Sequence, residues 1–194
     1  MIVFLQFTIL GLSFLLPNYS QLVCGAGETE AGSILLLGCI VGAVMAPVSG
    51  QLLDHLGASI PILTGAALAV AGTVTYAVIS PSMSVLTMIV VYVIFAGGQS
   101  LMYGNNMTCA LGFLPADIKA DGNAMFTTLQ QLAGAMGTSV AAALVNAAQV
   151  GVSTDGMAAA TAAGTQHACM LLVVTVCVSL ACAATEMALR RRAA

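Results

Sequence analysis

The chain has 194 residues, of which 60% are hydrophobic and only 6% are charged, and its formal net charge is −3. A water-facing surface needs far more Lys, Arg, Glu and Asp than this, so the composition excludes an ordinary soluble domain and indicates a lipid bilayer as the surroundings. The one basic cluster, at residues 190–192, is too small to indicate binding of nucleic acid.

Apolar stretches long enough to cross a bilayer follow one another along the chain. In chain order, the predicted spans are residues about 1–20, 31–53, 60–79, 85–111, 124–150 and 167–189. No charged residue falls in the middle of a span, as the cost of a charge in hydrocarbon requires. The sequence therefore predicts an all-α membrane protein with a single six-helix transmembrane domain over residues 1–194.

Polar segments separate the predicted spans, since Gly, Pro and Ser interrupt helices. The longest are residues 115–123 before the fifth span and residues 151–166 before the sixth, the latter rich in Gly, Ser, Thr and Ala. The first span has no basic residue before it, so it lacks the positive segment of a secretory signal. We therefore interpret it as a real span, one that is cut short at its start.

The basic residues predict the orientation. If the carboxyl end is cytoplasmic, six crossings place the amino end there too, together with the loops at residues 54–59 and 115–122. These segments hold all four Lys and Arg residues, as the positive-inside rule requires. The prediction is a multi-pass protein of the cell membrane with both termini in the cytoplasm.

The six cysteines show no CxxC spacing, and the two histidines lie in different segments. A zinc site would need such ligands close together. We interpret the cysteines as small packing residues, and we expect no metal and no cofactor.

Small residues four apart predict where helices touch, because close approach in lipid depends on them. The second span carries a GxxxG, and the fifth carries a similar stripe that includes Ala133 and Ala141. The predicted packing glycines are Gly38, Gly42, Gly134 and Gly137. Such faces serve either simple packing or the sliding of helices during transport.

Neutral polar side chains share a face on three of the spans, and each must find a partner in protein or water. On the fourth span, for example, Gln99, Tyr103 and Asn106 recur at helical spacing. The candidates for a substrate cavity are Asn18, Tyr19, Gln99, Tyr103, Asn106, Thr127, Gln130 and Gln131. The alternative is interhelical hydrogen bonding without a cavity.

Proton-coupled transport needs a titratable group within the membrane. No carboxylate lies mid-span: Asp54 is at a helix end, and Glu186 is placed to meet Arg190 one turn later. If this protein couples transport to protons, the principal carboxylate is elsewhere.

Residues 50–57, GQLLDHLG, fit the G-x-L-x-D-x-x-G signature of the major facilitator superfamily. Residues 123–137, NAMFTTLQQLAGAMG, and residues 14–32, FLLPNYSQLVCGAGETEAG, resemble stretches of its fourteen-helix drug:proton antiporters, and in the same order. The resemblance implies half of that fold, in which two six-helix halves rock about a central cavity. The residues that match the family's motifs position by position are Gly50, Asp54, Gly57, Pro17, Tyr19, Gln21, Gln131, Gly134 and Gly137.

In that family, the signature loop helps to close the cytoplasmic side, with its Asp, here Asp54, paired to neighbouring helix ends. The sequence departs from the family at several positions of this charge network. The basic residue usual after the Asp is His55, the basic pair after the second glycine is Ala58 and Ser59, and Gln130 stands where the family usually has Arg. These departures predict a weakened network. The alternative is a loop that serves only as a tight turn.

Such transporters have twelve or fourteen spans, so the resemblance implies a missing partner half. It is absent from this sequence, supplied by a separate polypeptide, or replaced by a second copy. The hypothesis is therefore the carboxy-terminal half of a secondary transporter for drugs or other amphipathic small molecules. The competing hypothesis is a non-transporting remnant or assembly partner. We expect no enzyme, since the spans hold no paired acids and no Ser and His dyad.

Overall fold

The computed structural model describes residues 1–193, with side chains as far as residue 188. No strand occurs in this part of the chain. The six α-helices are α1 (Ile2–Leu22), α2 (Glu28–Leu56), α3 (Ser59–Ile79), α4 (Val85–Gly112), α5 (Lys119–Gln149) and α6 (Met157–Ala193). The prediction of an all-α membrane bundle is confirmed.

Two helices begin well before the spans predicted for them. Helix α5 starts at Lys119 instead of residue 124, and α6 starts at Met157 instead of residue 167. Most of the predicted loop at residues 151–166 is therefore helical, because Ala-rich stretches such as residues 157–163 have the highest intrinsic helix propensity. Only residues 150–156 connect the two helices.

Five segments are long and apolar enough to cross a bilayer: Ile2–Leu22, Glu28–Leu56, Ser59–Ser82, Val85–Gly112 and Thr154–Ala188. Helix α5 is not among them, although its 31 residues are ample for a crossing. Its apolar surface is diluted by Thr127, Thr128, Gln130 and Gln131. That α5 crosses the membrane therefore stays a prediction.

The first three helices and the last three interlock. Helix α1 packs mainly on α5 and α6, while α4 packs mainly on α2 and α3, and α3 also lies against α6. The central core contains α1 and α4 side chains such as Leu12, Leu16, Phe95 and Met102. Helix α2 is the least covered of the apolar spans, since only 17% of its most apolar stretch is buried by other parts of the protein.

Glycines set the closest helix approaches. A Cβ on Gly137 would overlap the backbone carbonyl oxygen of Phe7 in α1, and a Cβ on Gly65 would overlap that of Gly98 in α4. Gly134 meets the Leu10 side chain, and Gly38 meets the Tyr92 ring in the same way. Small residues thus let the helix backbones approach closely where lipid provides no hydrophobic drive.

Gly42 is less crowded, since a Cβ there would lie 3.1 Å from the Ser100 hydroxyl oxygen. The side chains of the three arginines at 190–192 lie outside the described residues. The predicted contact of Glu186 with Arg190 therefore also lies outside them.

Candidate functional site

A groove runs along the contact between α2 and α4. It consists of two clefts, of about 400 and 370 Å³, that share Gln99 and Ser100. The larger cleft ends at Gly50 and Asp54 on α2, and Tyr103 lies in its wall. The smaller one continues to Ser13 of α1 and Tyr92 of α4. The groove therefore joins neutral polar and aromatic groups from three helices.

A buried hydrogen-bond cluster fixes α2 to α4 beside the larger cleft. The Asn105 amide nitrogen donates to the backbone oxygen of Ser49 at 3.2 Å, to the Ser49 hydroxyl at 2.9 Å and to the Leu101 carbonyl at 2.8 Å. The Ser49 hydroxyl donates to the same Leu101 carbonyl at 3.1 Å. A second bond between the same two helices lies nearby, where the Ser100 hydroxyl of α4 donates to the Gly42 carbonyl of α2 at 3.3 Å. These bonds set the position of α4 relative to α2.

A single side-chain pair connects α4 with α5 among the described hydrogen bonds. The Tyr103 hydroxyl donates to Gln130 Oε1 at 3.0 Å. Gln130 is buried, whereas Tyr103 is only half-buried and reaches the groove. Helices α4 and α5 otherwise contact each other very little. The Tyr103 phenol therefore links the groove to α5.

The other candidates lie apart from the groove. Tyr19 is fully buried, and its hydroxyl accepts a hydrogen bond from the Met83 backbone N–H at 3.3 Å. Asn18 lies beside it at the end of α1. Thr127 and Gln131 line a separate shallow depression on the exposed side of α5, where the Thr127 hydroxyl donates to the Asn123 carbonyl of its own helix.

Of the eight predicted cavity residues, the structure thus places Gln99 and Tyr103 in the groove, and Gln130 in contact with Tyr103. Asn106 is buried on α4, three residues beyond Tyr103. The use of any of them by a substrate stays a prediction.

The signature residues form the end of α2 and its turn. Gly57 has a φ of 73°, a left-handed conformation that favours glycine, and its N–H donates to the Leu53 carbonyl at 3.0 Å. Asp54 is exposed at the mouth of the larger cleft, and Gly50 lines the same cleft. The loop therefore terminates the groove on the predicted cytoplasmic side.

Sequence reasoning missed Ser49, Ser100 and Asn105 as a group. Asn105 is adjacent to the predicted polar face of α4, but its partner Ser49 lies 56 residues away along the chain. A signal was nevertheless present. An Asn inside an apolar span needs a partner, and small polar residues on α2 were the available ones.

Among the described residues no three His, Cys, Asp or Glu side chains cluster as metal ligands would. The six cysteines are free thiols. The groove itself is lined by hydrogen-bonding groups and by the aromatic residues Tyr92 and Tyr103.

Residues 1–138 match the family model of the Major Facilitator Superfamily. The chain is 33% identical over 189 residues to the lincomycin resistance protein LmrB of Listeria monocytogenes, an alignment that covers 93% of this chain and 40% of that protein. It is 30% identical to LmrB of Bacillus subtilis, over 77% of this chain and 31% of that protein. The uncharacterized MFS-type transporter YhcA of Bacillus subtilis is 35% identical, over 66% of this chain and 24% of that protein.

No solved structure gives a significant match. The chain spans about 40% of the length of the lincomycin resistance protein of Listeria monocytogenes. The family model covers well over half of the chain, and the fold and the signature at residues 50–57 agree with it. The chain therefore belongs to the Major Facilitator Superfamily of membrane transporters.

Proposed function

We propose that this chain is the carboxy-terminal half of a secondary transporter that exports drugs or other amphipathic small molecules in exchange for protons. The observation that carries the proposal is the groove along α2 and α4, with Gln99, Tyr103 and Tyr92 in its walls. Such a mixture of aromatic surface and a few neutral polar groups suits amphipathic ligands. The similarity to lincomycin resistance proteins supports the same substrate class.

An exposed stripe of small and polar side chains on α5 supports the proposal of a missing half. Its residues lie three, four or seven positions apart and are Ala124, Thr128, Gln131, Ala135, Ser139 and Asn146. The next face of α5 is also exposed but strongly apolar, with Leu129, Leu132 and Met136. Lipid suits the apolar face, whereas small residues suit close contact with another helix.

Helix α2 shows the same division. The exposed residues Gly32, Cys39, Ala43 and Ala46 share one face, beside exposed large side chains such as Leu36 and Val44. We infer that the small-residue faces of α2 and α5 dock against the amino-terminal half. That half is encoded upstream, made as a separate chain, or replaced by a second copy.

Efflux is expected only when both halves are present. Vesicles that contain this chain alone should show no uptake of radiolabelled lincomycin when a proton gradient is imposed. Vesicles with the chain joined to the amino-terminal part of Listeria monocytogenes LmrB should show it. Transport by the isolated chain would contradict the proposal of a half, and a fusion that inserts but never transports would favour the non-transporting alternative.

Matched tryptophan variants refine this test. Ala135→Trp should abolish transport by the joined protein because the indole blocks the small-residue face of α5. Met136→Trp is the control, since Met136 lies on the apolar face and a large side chain there meets lipid. Equal loss in both variants would argue against the docking face.

The described part of the chain places no carboxylate in the middle of a helix; Asp54 lies at the mouth of the larger cleft. We propose that a proton-coupling carboxylate, if the transporter has one, belongs to the amino-terminal half. The present chain, the carboxy-terminal half, then contributes substrate contacts and the cytoplasmic turn at Gly50, Asp54 and Gly57.

We also propose that both termini are cytoplasmic, and Cys24 provides the test. This thiol lies in the turn between α1 and α2, on the predicted outer side, and donates to the Met83 carbonyl at 3.3 Å. With the other cysteines replaced by Ser, a membrane-impermeant maleimide should label Cys24 in intact cells. A cysteine-free variant carrying His55→Cys should be labelled only after the membrane is opened. The reverse pattern would invert the orientation.

Labelling of Cys24 should be faster at pH 8.5 than at pH 7. Partial burial raises the pKa of the Cys24 thiol, so less thiolate is present near neutrality, and the thiolate is the reactive form.

A further inference from the structure

Three amide side chains on α4 and α5, those of Asn105, Asn106 and Gln130, differ in how far their hydrogen bonds are satisfied. The Asn105 amide nitrogen has three acceptors within 3.2 Å. The amide nitrogens of Asn106 and Gln130 have none among the described residues. Yet Asn106 is only 9% exposed and Gln130 only 5% exposed.

Unpaired buried donors are uncommon in folded proteins, because each one has lost its water without gaining a partner. Within a bilayer the loss is not relieved by bulk water. Asn105 shows that this fold can satisfy an amide fully when the amide serves packing. The amides of Asn106 and Gln130 are therefore better explained as donors to an acceptor on a molecule that binds and dissociates.

Tyr103 gives the groove a connection to these donors. Its hydroxyl donates to Gln130 Oε1 at 3.0 Å and its ring lines the larger cleft. Asn106 lies three residues further along α4, on the same side of the helix as Tyr103. Tyr103 thus contacts Gln130 directly and lies about one helical turn from Asn106 on α4.

We propose that the amide nitrogens of Asn106 and Gln130 bind uncharged oxygens of the transported molecule, such as an amide carbonyl, a hydroxyl or an ether, while the Tyr103 hydroxyl holds Gln130 through its Oε1. Amide N–H groups donate to such oxygens and repel ammonium groups, which are donors themselves. This proposal rests on the proposed function and specifies which part of a substrate this half recognises.

The test compares two probes on the chain joined to the amino-terminal part of Listeria monocytogenes LmrB, purified in lipid nanodiscs. Tritiated lincomycin carries amide and hydroxyl oxygens, whereas tritiated tetraphenylphosphonium is an apolar cation without acceptors. Gln130→Met keeps the length of the side chain and removes the donor. It should weaken lincomycin binding by about 5- to 30-fold, the worth of one or two lost hydrogen bonds, and leave tetraphenylphosphonium binding unchanged. Asn106→Ala should act in the same direction.

Gln149→Met is the matched control. The Gln149 amide nitrogen donates to the Thr161 hydroxyl at 2.7 Å and so joins α5 to α6 far from the groove. This variant should lower the melting temperature and leave lincomycin binding unchanged. Gln130→Met should not lower the melting temperature as much, since it also removes an unpaired buried donor.

Two results would overturn the proposal while leaving the proposed function standing. One is unchanged lincomycin affinity in both Gln130→Met and Asn106→Ala. The other is an equal loss for both probes, which would mean that the variants distort the groove. If the unaltered joined protein binds neither probe, the proposed function fails first, and this inference fails with it.

Discussion

Gly137→Ala should destabilise the bundle by about 1–3 kcal/mol, the usual range for overpacking a tight contact. A Cβ at this position would overlap the backbone carbonyl of Phe7. A backbone oxygen cannot swing aside as a side chain can, so α1 and α5 would have to separate. Thermal unfolding of the purified chain in detergent, followed by circular dichroism, measures the effect.

Gly104→Ala is the control for this variant, because it makes the same chemical change at an open position. No atom lies within 4 Å of a Cβ built on Gly104, in the middle of α4. Alanine is the better helix former by about 1 kcal/mol, so this variant should be slightly more stable than the unaltered chain. If both variants shift the melting temperature in the same direction, the close contact of α1 with α5 is wrong.

Asn105→Leu should be the most harmful change among the polar residues of α4. Leucine is close to Asn in size but removes three hydrogen bonds, to Ser49 and to Leu101. At about 0.6 kcal/mol for each bond in a membrane helix pair, the loss is about 2 kcal/mol. The expected result is a lower melting temperature together with weaker contact of α2 with α4.

A double-mutant cycle separates this cluster from a general effect on α4. Ser49→Ala and Asn105→Leu should be less harmful together than the sum of their separate effects, because they break the same bonds. Asn146→Leu provides a matched control, since Asn146 is exposed on α5. Strict additivity of the two changes would show that Ser49 and Asn105 do not act as one unit.

The fold class could be predicted because its causes are local. Apolar runs of about twenty residues, interrupted by Gly, Pro and Ser, specify membrane helices wherever they occur in a chain. The signature at residues 50–57 indicated the family, and the family model confirms it. The predicted start of α6 is too late, because Gly and Thr in residues 151–166 indicate a loop while the Ala-rich part of this segment favours helix.

The site could be predicted only in part. Helical spacing puts Gln99 and Tyr103 on one side of α4, and both line the groove. Spacing could not distinguish Asn105 from Asn106, which are adjacent in sequence but differ completely in their partners. It also could not show that Tyr19 is fully buried, with its hydroxyl bonded to Met83 from the turn between α3 and α4.

The sequence by itself determined that this protein is helical, belongs in a bilayer and shares the signature of a transporter family. The first two depend on the free energy of moving short segments out of water, which is a property of the segments themselves. Only the tertiary structure decided which polar side chains are already satisfied and which remain available. That distinction depends on partners such as Ser49 and Asn105, or Tyr103 and Gln130, which are distant along the chain and meet only when the helices pack.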